Sequence, residues 1–186
     1  MIHGHHRNAS ALRPGIGALA VGLLLAGLLS PQFARAEVEP KPLITFMIKD
    51  QFGKLHTSGY FRNSVVILVS GDKKGSGFIK EWSPVLEDSL VTEVKSFRVK
   101  FIPHAHLKGV PFFMKGTIKG KFSPAPDDWV LMDWDGEFHK AYELAEDHCN
   151  IVVFHRDGLR RIQVAVQEFD QQVFTRLLTG IRRLDR

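Results

Sequence analysis

Apolar positions recur along this chain in two rhythms, and the change from one to the other marks its elements. Residues 65–70 open as an unbroken apolar run, Val65 to Val69, which predicts a central strand buried on both faces. Over 76–90, Phe78, Ile79, Trp82, Val85 and Leu86 fall at 3.6-residue spacing. That predicts a helix with one inward face, Ser76 as its N-cap and Pro84 inside it. Upstream, Thr45, Met47 and Lys49 alternate with apolar neighbours before Asp50-Gln51-Phe52-Gly53, the entry of a β-hairpin. FRVKFIPHAH (97–106) predicts a second strand, ended by Pro103. PFFMKGTIKGKF (111–122) predicts a helix opening on proline and weakened by Gly116 and Gly120. Residues 123–128 are a loop, 129–138 a strand with an Asp-Gly turn, and 139–147 a short helix. Residues 150–166 form a hairpin around Arg156-Asp157-Gly158. The chain closes on an amphipathic helix over 169–185, with Val173, Leu177, Leu178 and Ile181 inward. The order describes an α/β sandwich, a central mixed sheet flanked by helices, with parallel crossovers first and an antiparallel hairpin later.

The first 36 residues stand outside that pattern. Arg7 and Arg13 precede GIGALAVGLLLAGLLS, and Ala34-Arg35-Ala36 has the small-x-small form of a cleavage site. The apolar run falls short of the roughly 20 residues a spanning helix needs. The expectation is a secretory signal peptide over 1–36, no stable membrane span after its cleavage, and one domain over 37–186. His3, His5 and His6 leave with the leader.

The leader also changes the charge. The full chain carries +5, but Arg7, Arg13 and Arg35 are lost with residues 1–36, leaving 22 basic against 20 acidic side chains. That balance excludes a dedicated nucleic-acid binder, which shows a basic patch or stripe. One cysteine, Cys149, excludes an internal disulfide and any two-cysteine exchange within the chain. A leader without disulfides points to a bacterial periplasm.

Four segments, in order, resemble the thioredoxin-like superfamily, nearest its redoxin and peroxiredoxin-type branch, over residues 43–186. ITFMIKDQFGKLHTSGYFRNSVVILVS resembles the opening of that family, with its D-x-x-G turn before the central strand. IKEWSPVL resembles the first helix with its proline. WVLMDWDGEFHKAYEL resembles the D-x-D-G…A-Y segment, and NIVVFHRDGLRRI with the last helix resembles the closing hairpin and helix. The resemblance implies a thioredoxin-like sandwich. It places the two family cysteines near Ser76 and Ile79, neither of which is a thiol. GDKKGSGF lacks the threonine and cysteine of the peroxiredoxin pattern. The loop that carries a cis-proline in the family falls at His148-Cys149.

Three functional readings follow. In the first, a binding or accessory module without dithiol chemistry docks an unidentified protein partner through Ser76, Gly77, Phe78, His148 and Cys149, and needs no cofactor. In the second, Cys149 beside His148 is a lowered-pKa thiolate, the catalytic pair of a one-cysteine oxidoreductase or peroxidase; the competing reading is a small buried residue. In the third, His104, His106, His148 and Cys149 hold copper or zinc, against solvated loop histidines. Copper-delivering members of the resembled family use a paired-cysteine motif that this chain lacks.

The loop 71–77, with Lys73 and Lys74, is either an anion cradle at a helix start or a connector. Asp133 and Asp135 are an acid–base pair or the shapers of the turn before Gly136; Asp127-Asp128 poses a similar choice. There is no Gly-x-Ser-x-Gly elbow and no evident Ser/His/Asp ordering. The aromatic residues Trp82, Trp129, Trp134, Phe112 and Phe113 read as core.

Overall fold

The apolar run at 65–69 does become the centre of a sheet. A computed structural model describes residues 38–186, and the expected leader over 1–36 lies outside the described residues. A small hairpin comes first: β1 (Met47–Lys49) pairs antiparallel with β2 (Leu55–Thr57). Then follow β3 (Val65–Gly71), α1 (Gly75–Ser89), α2 (Val91–Lys95) and β4 (Val99–His106). The second half holds α3 (Lys115–Lys119), β5 (Leu131–Asp133), α4 (Glu137–Tyr142), β6 (Cys149–Phe154), β7 (Arg160–Val166) and α5 (Gln171–Leu184).

Five strands form one mixed sheet in the order β5-β4-β3-β6-β7. β3, β4 and β5 run parallel, β6 runs antiparallel to β3, and β7 runs antiparallel to β6. The expected sandwich, with crossovers first and the hairpin later, is the observed one.

Strand alternation sorts the core into two layers. Val65, Ile67 and Val69 of β3 join Cys149, Ile151 and Val153 of β6 beneath Trp82, Leu86, Phe174, Leu177 and Ile181 of α1 and α5. Val66, Leu68, Ile102, Val152 and Phe154 point the other way, against Phe46, Phe138 and Tyr142. The Trp82 indole donates to the Gln167 carbonyl at 2.9 Å, which satisfies its one polar atom. Trp82 is core as expected, whereas Phe112 and Phe113 are exposed.

Several boundaries moved, each for a local reason. The first helix begins at Gly75 and Ser76 does not cap it; the Asp72 carboxylate receives the Lys74 and Gly75 N–H groups instead. Val85 is exposed rather than inward. Pro103 does not end its strand. β5 pairs only from His104 onward, so β4 has no outer neighbour at Pro103 and the missing N–H costs that side nothing. The expected helix over 111–122 shrinks to a 3-10 turn at Phe112–Met114 and the five residues of α3, consistent with its two glycines. The strand expected over 129–138 is only Leu131–Asp133, because Asp133 turns its carboxylate onto the next helix start. That helix runs over 137–142, not 139–147, and stops at Glu143 with φ of 52°. α5 is as expected, capped by the Asp170 carboxylate, which accepts from Gln172 N at 2.7 Å and Val173 N at 2.9 Å.

Candidate functional site

Parallel β3 and β4 end on one sheet edge, and the loop before β6 arrives there too. At this edge Asp72 ties three pieces together. Its Oδ1 accepts from Lys74 N and Gly75 N, and its Oδ2 accepts from Asp147 N at 2.8 Å. The carboxylate thus occupies the position an incoming anion would take, and the anion-cradle reading of 71–77 gives way to this internal cap. Lys74 Nζ pairs with Asp147 Oδ2 at 2.7 Å on the surface.

Gly75 packs directly on the His148 backbone. A Cβ added there would lie 2.2 Å from the His148 carbonyl oxygen, so only glycine allows this approach. Asn150, fully buried, braces the same loop: its Oδ1 accepts from Ala145 N at 2.9 Å and its Nδ2 donates to Ala145 O at 2.8 Å.

Of the residues named for a partner, this edge brings together Ser76, Gly77 and His148. Ser76 and Gly77 are exposed and His148 is half-buried beside them. Phe78, named both on the inward helix face and among the docking residues, is half-buried and packs on the α1/α5 core layer. Cys149 lies behind this surface rather than on it.

Cys149 is 0% exposed, and burial pushes its thiol up to about 12. Such a thiol stays protonated near neutrality, so the structure gives no support to a lowered-pKa thiolate beside His148. The His148 Nδ1 instead meets the Glu146 carbonyl at 2.6 Å.

The four metal candidates are not brought together. Cys149 faces the α1/α5 layer, while His104 and His106 extend the opposite face of the sheet, beside α4. Among the described residues no group of three or more His, Cys, Asp or Glu side chains is arranged to hold a metal ion.

On that opposite face the structure holds a chain the sequence did not reveal. The Ser70 hydroxyl meets His104 Nδ1 at 2.8 Å, and His104 Nε2 meets Asp133 Oδ2 at 3.0 Å. With Asp133 ionised, His104 Nε2–H donates to it and the Ser70 hydroxyl donates to Nδ1. A Ser/His/Asp ordering therefore exists in space, but every member is buried, so Ser70 is no exposed nucleophile. Asp133 also accepts from the backbone N–H groups of Gly136, Glu137 and Phe138. Burial alone would raise its carboxyl, but the His104 bond and charge and those N–H groups outweigh it, holding Asp133 down at about 2. This confirms Asp133 as the shaper of the turn before Gly136. The one signal for Ser70–His104 was register: the two residues sit directly opposite across β3 and β4.

Further along β4, the His106 and His139 rings stack with centroids 3.7 Å apart. His106 Nδ1 and both His139 ring nitrogens are buried without a hydrogen-bond partner. Burial first, then the neighbouring His106 and His104, depress His139 to about 4, against a smaller upward pull from Asp72 and Asp133. Burial likewise lowers His106. The unfolded chain binds these protons from about pH 6.5 downward, whereas the native protein does not until well below it. Stability is therefore fully present above about 6.5 and is lost as pH falls toward about 4. Thermal melts from pH 7.5 to 4 are expected to fall through that window, and His139→Phe, which keeps a ring on His106, is expected to flatten the fall. An equally steep fall in His139→Phe would assign it to other groups.

No protein-family model and no curated protein sequence matches the chain. Solved structures do. A protein assigned as thiol:disulfide interchange protein DsbE from Chlorobium tepidum superposes with a TM-score of 0.60 at 14% identity, covering 79% of this chain and 97% of that one. A SCO1/SenC family lipoprotein from Bacillus anthracis gives 0.56 at 11% identity, covering 80% and 98%. The exposed lipoprotein thioredoxin Etrx1 from Streptococcus pneumoniae gives 0.53 at 15% identity, covering 74% and 99%. Identities this low speak for architecture alone, and with the mixed five-stranded sheet they establish that the chain has the thioredoxin-like fold, with a single cysteine and no paired thiols at its helix start.

Proposed function

We propose that the protein is an extracytoplasmic, thioredoxin-fold binding or accessory module that engages a protein partner at the edge formed by the start of α1 and the His148 loop, without dithiol chemistry. One observation carries this reading. The helix-start positions near which the resemblance places thiols hold Ser76 and Ile79, while the chain's single cysteine is sealed in the core and held protonated. A serine hydroxyl forms no disulfide, so the edge keeps its shape without its electron chemistry. The leader-like residues 1–36 support the location, as does the occurrence of lipoproteins among the structural neighbours. Among the described residues no helix is long and apolar enough to cross a membrane.

The test places a photo-crosslinking amino acid at Gly77, where a side chain meets nothing within 4 Å, and irradiates intact bacteria expressing the full chain. A discrete adduct in the extracytoplasmic fraction is expected, persisting in Cys149→Ser and under reductant. Loss of the adduct in Cys149→Ser would put the thiol reading first. No adduct, or one confined to the cytoplasm, would overturn the proposal.

A further inference from the structure

The stretch from Leu107 to Phe122 carries four lysines, Lys108, Lys115, Lys119 and Lys121, and no acidic residue. It leaves the sheet at the end of β4, the same edge at which α1 begins. In its middle, Phe112 is 86% exposed and Phe113 is 83% exposed, next to the partly exposed Met114. Two adjacent phenylalanines this open to water belong to neither core layer. Lone exposed apolar residues are common, but a Phe-Phe-Met tip flanked by lysines on both sides is a composite feature.

The tip is also held in place. Met114 N bonds the Pro111 carbonyl at 2.9 Å, closing the 3-10 turn under the phenylalanines. The Lys115 ammonium lies 4.8 Å from the centre of the Trp134 ring and tethers the tip to the turn after β5. The next acids in sequence are Asp127, Asp128, Asp133 and Asp135, of which Asp133 is buried in its own network. Asp128 Oδ2 is taken up by the Ser123 hydroxyl at 2.7 Å, and no ion pair joins any of these aspartates to the four lysines.

Aromatic side chains at the apex with lysines beside them match the chemistry of a bilayer interface. Rings enter the headgroup–acyl boundary while ammonium groups meet anionic headgroups. We propose that the 107–122 segment is a peripheral membrane-docking tip, selective for anionic lipid, with Phe112 and Phe113 as its inserting side chains. An acidic protein surface would use the lysines equally well. It would not by itself account for two rings projecting beyond both core layers. The proposal is independent of the partner edge at Gly77.

The test is co-sedimentation of the protein, as the expressing cell processes it, with vesicles of 30% phosphatidylglycerol in phosphatidylcholine and with vesicles of phosphatidylcholine alone. Binding is expected to the anionic vesicles, weaker to the neutral ones, and falling as salt rises. Phe112→Ser with Phe113→Ser is expected to lose at least about tenfold in binding. Those side chains touch no core, so an unchanged melting temperature confirms that the fold is intact. Lys119→Glu with Lys121→Glu is expected to remove the preference for anionic lipid. Equal binding by the phenylalanine pair variant and the native protein overturns the proposal. So does a native protein that ignores vesicles but self-associates through these rings, which would assign the tip to a second copy of the chain. Failure to bind vesicles together with capture of an acidic protein through the lysines would also overturn it.

Discussion

Asp133→Ala is expected to destabilise the protein by about 3–5 kcal/mol, because it removes a buried carboxylate that accepts four hydrogen bonds and leaves their donors unpaired. For a domain of this size that is a fall of roughly 10 °C in melting temperature. The cost has two sources. Three N–H groups at the start of α4, those of Gly136, Glu137 and Phe138, lose their acceptor in a dry environment. The buried His104 loses its acceptor at Nε2 as well, while Ser70 still holds Nδ1. Asp133→Asn separates these terms. Its amide oxygen can still serve Gly136 and Glu137. Its NH2 group faces the Phe138 N–H and His104 Nε2, so the imidazole must change tautomer and donate to Ser70 through Nδ1. Asn is therefore expected to cost less than Ala, about 1–3 kcal/mol. The pH dependence differs too. Because Asp133 is depressed to about 2, its contribution is present above about pH 4 and is lost only as pH falls toward 2. Asp133→Asn should flatten the stability profile there and leave the fall between 6.5 and 4 in place. Thermal melts of the three proteins from pH 7.5 to 2 check both claims. If Ala and Asn cost the same small amount, the network is not what orders α4.

Much of this architecture could be read from periodicity. β3, α1, the β6–β7 hairpin and α5 each follow one unbroken rhythm, and burial is their main determinant. The segments that shifted are those governed by single polar contacts. Nothing in WVLMDWDGEF says that the strand stops at Asp133; the reason is a carboxylate that caps the following helix. Nothing in FRVKFIPHAH says that Pro103 is tolerated; the reason is that β5 joins β4 only at His104. The site divides the same way. The edge of Ser76, Gly77 and His148 was legible because consecutive positions and the family resemblance place it. The separation of Cys149 from His104 and His106 depends on strand parity across two strands that are not sequence neighbours. A shift of either strand by one residue would have reversed it. The Ser70–His104–Asp133 chain needed the register of three strands together, and no local motif announces it.

These polar contacts bear on the proposed function because they hold the edge without thiols. In a dithiol protein, reactive groups at the helix start must be reachable and ionisable. Here that position is braced from below: Asp72 caps α1 and binds the loop before β6, Asn150 ties that loop to itself, and Gly75 lets the two meet. A preformed edge would suit the binding proposed above, since little ordering free energy is spent on a rigid surface.

Gly75→Ala and Gly77→Ala, two residues apart in one helix, are expected to shift stability in opposite directions. Helix propensity favours alanine over glycine by roughly 1 kcal/mol at an interior position and by less in the first turn, where both glycines lie, so both changes would modestly stabilise α1 if nothing stood in the way. At Gly77 nothing lies within 4 Å of the new methyl, and a gain of up to about 1 kcal/mol is expected. At Gly75 the methyl would sit 2.2 Å from the His148 carbonyl oxygen and 2.8 Å from its carbonyl carbon. Those are backbone atoms, so no rotamer change relieves the clash. Either α1 lifts from the sheet or the 146–148 loop moves, and both motions disturb the Asp72 bonds to Gly75 and Asp147. The net cost is expected to be about 3 kcal/mol, at the upper end for overpacking. Urea denaturation checks this through the midpoint at constant slope. Because the moved loop carries His148, Gly75→Ala is also expected to weaken the crosslink from Gly77 in protein that remains folded. A Gly75→Ala protein as stable as Gly77→Ala would mean that helix and loop are not in contact, and the edge proposed for partner binding would lose its frame.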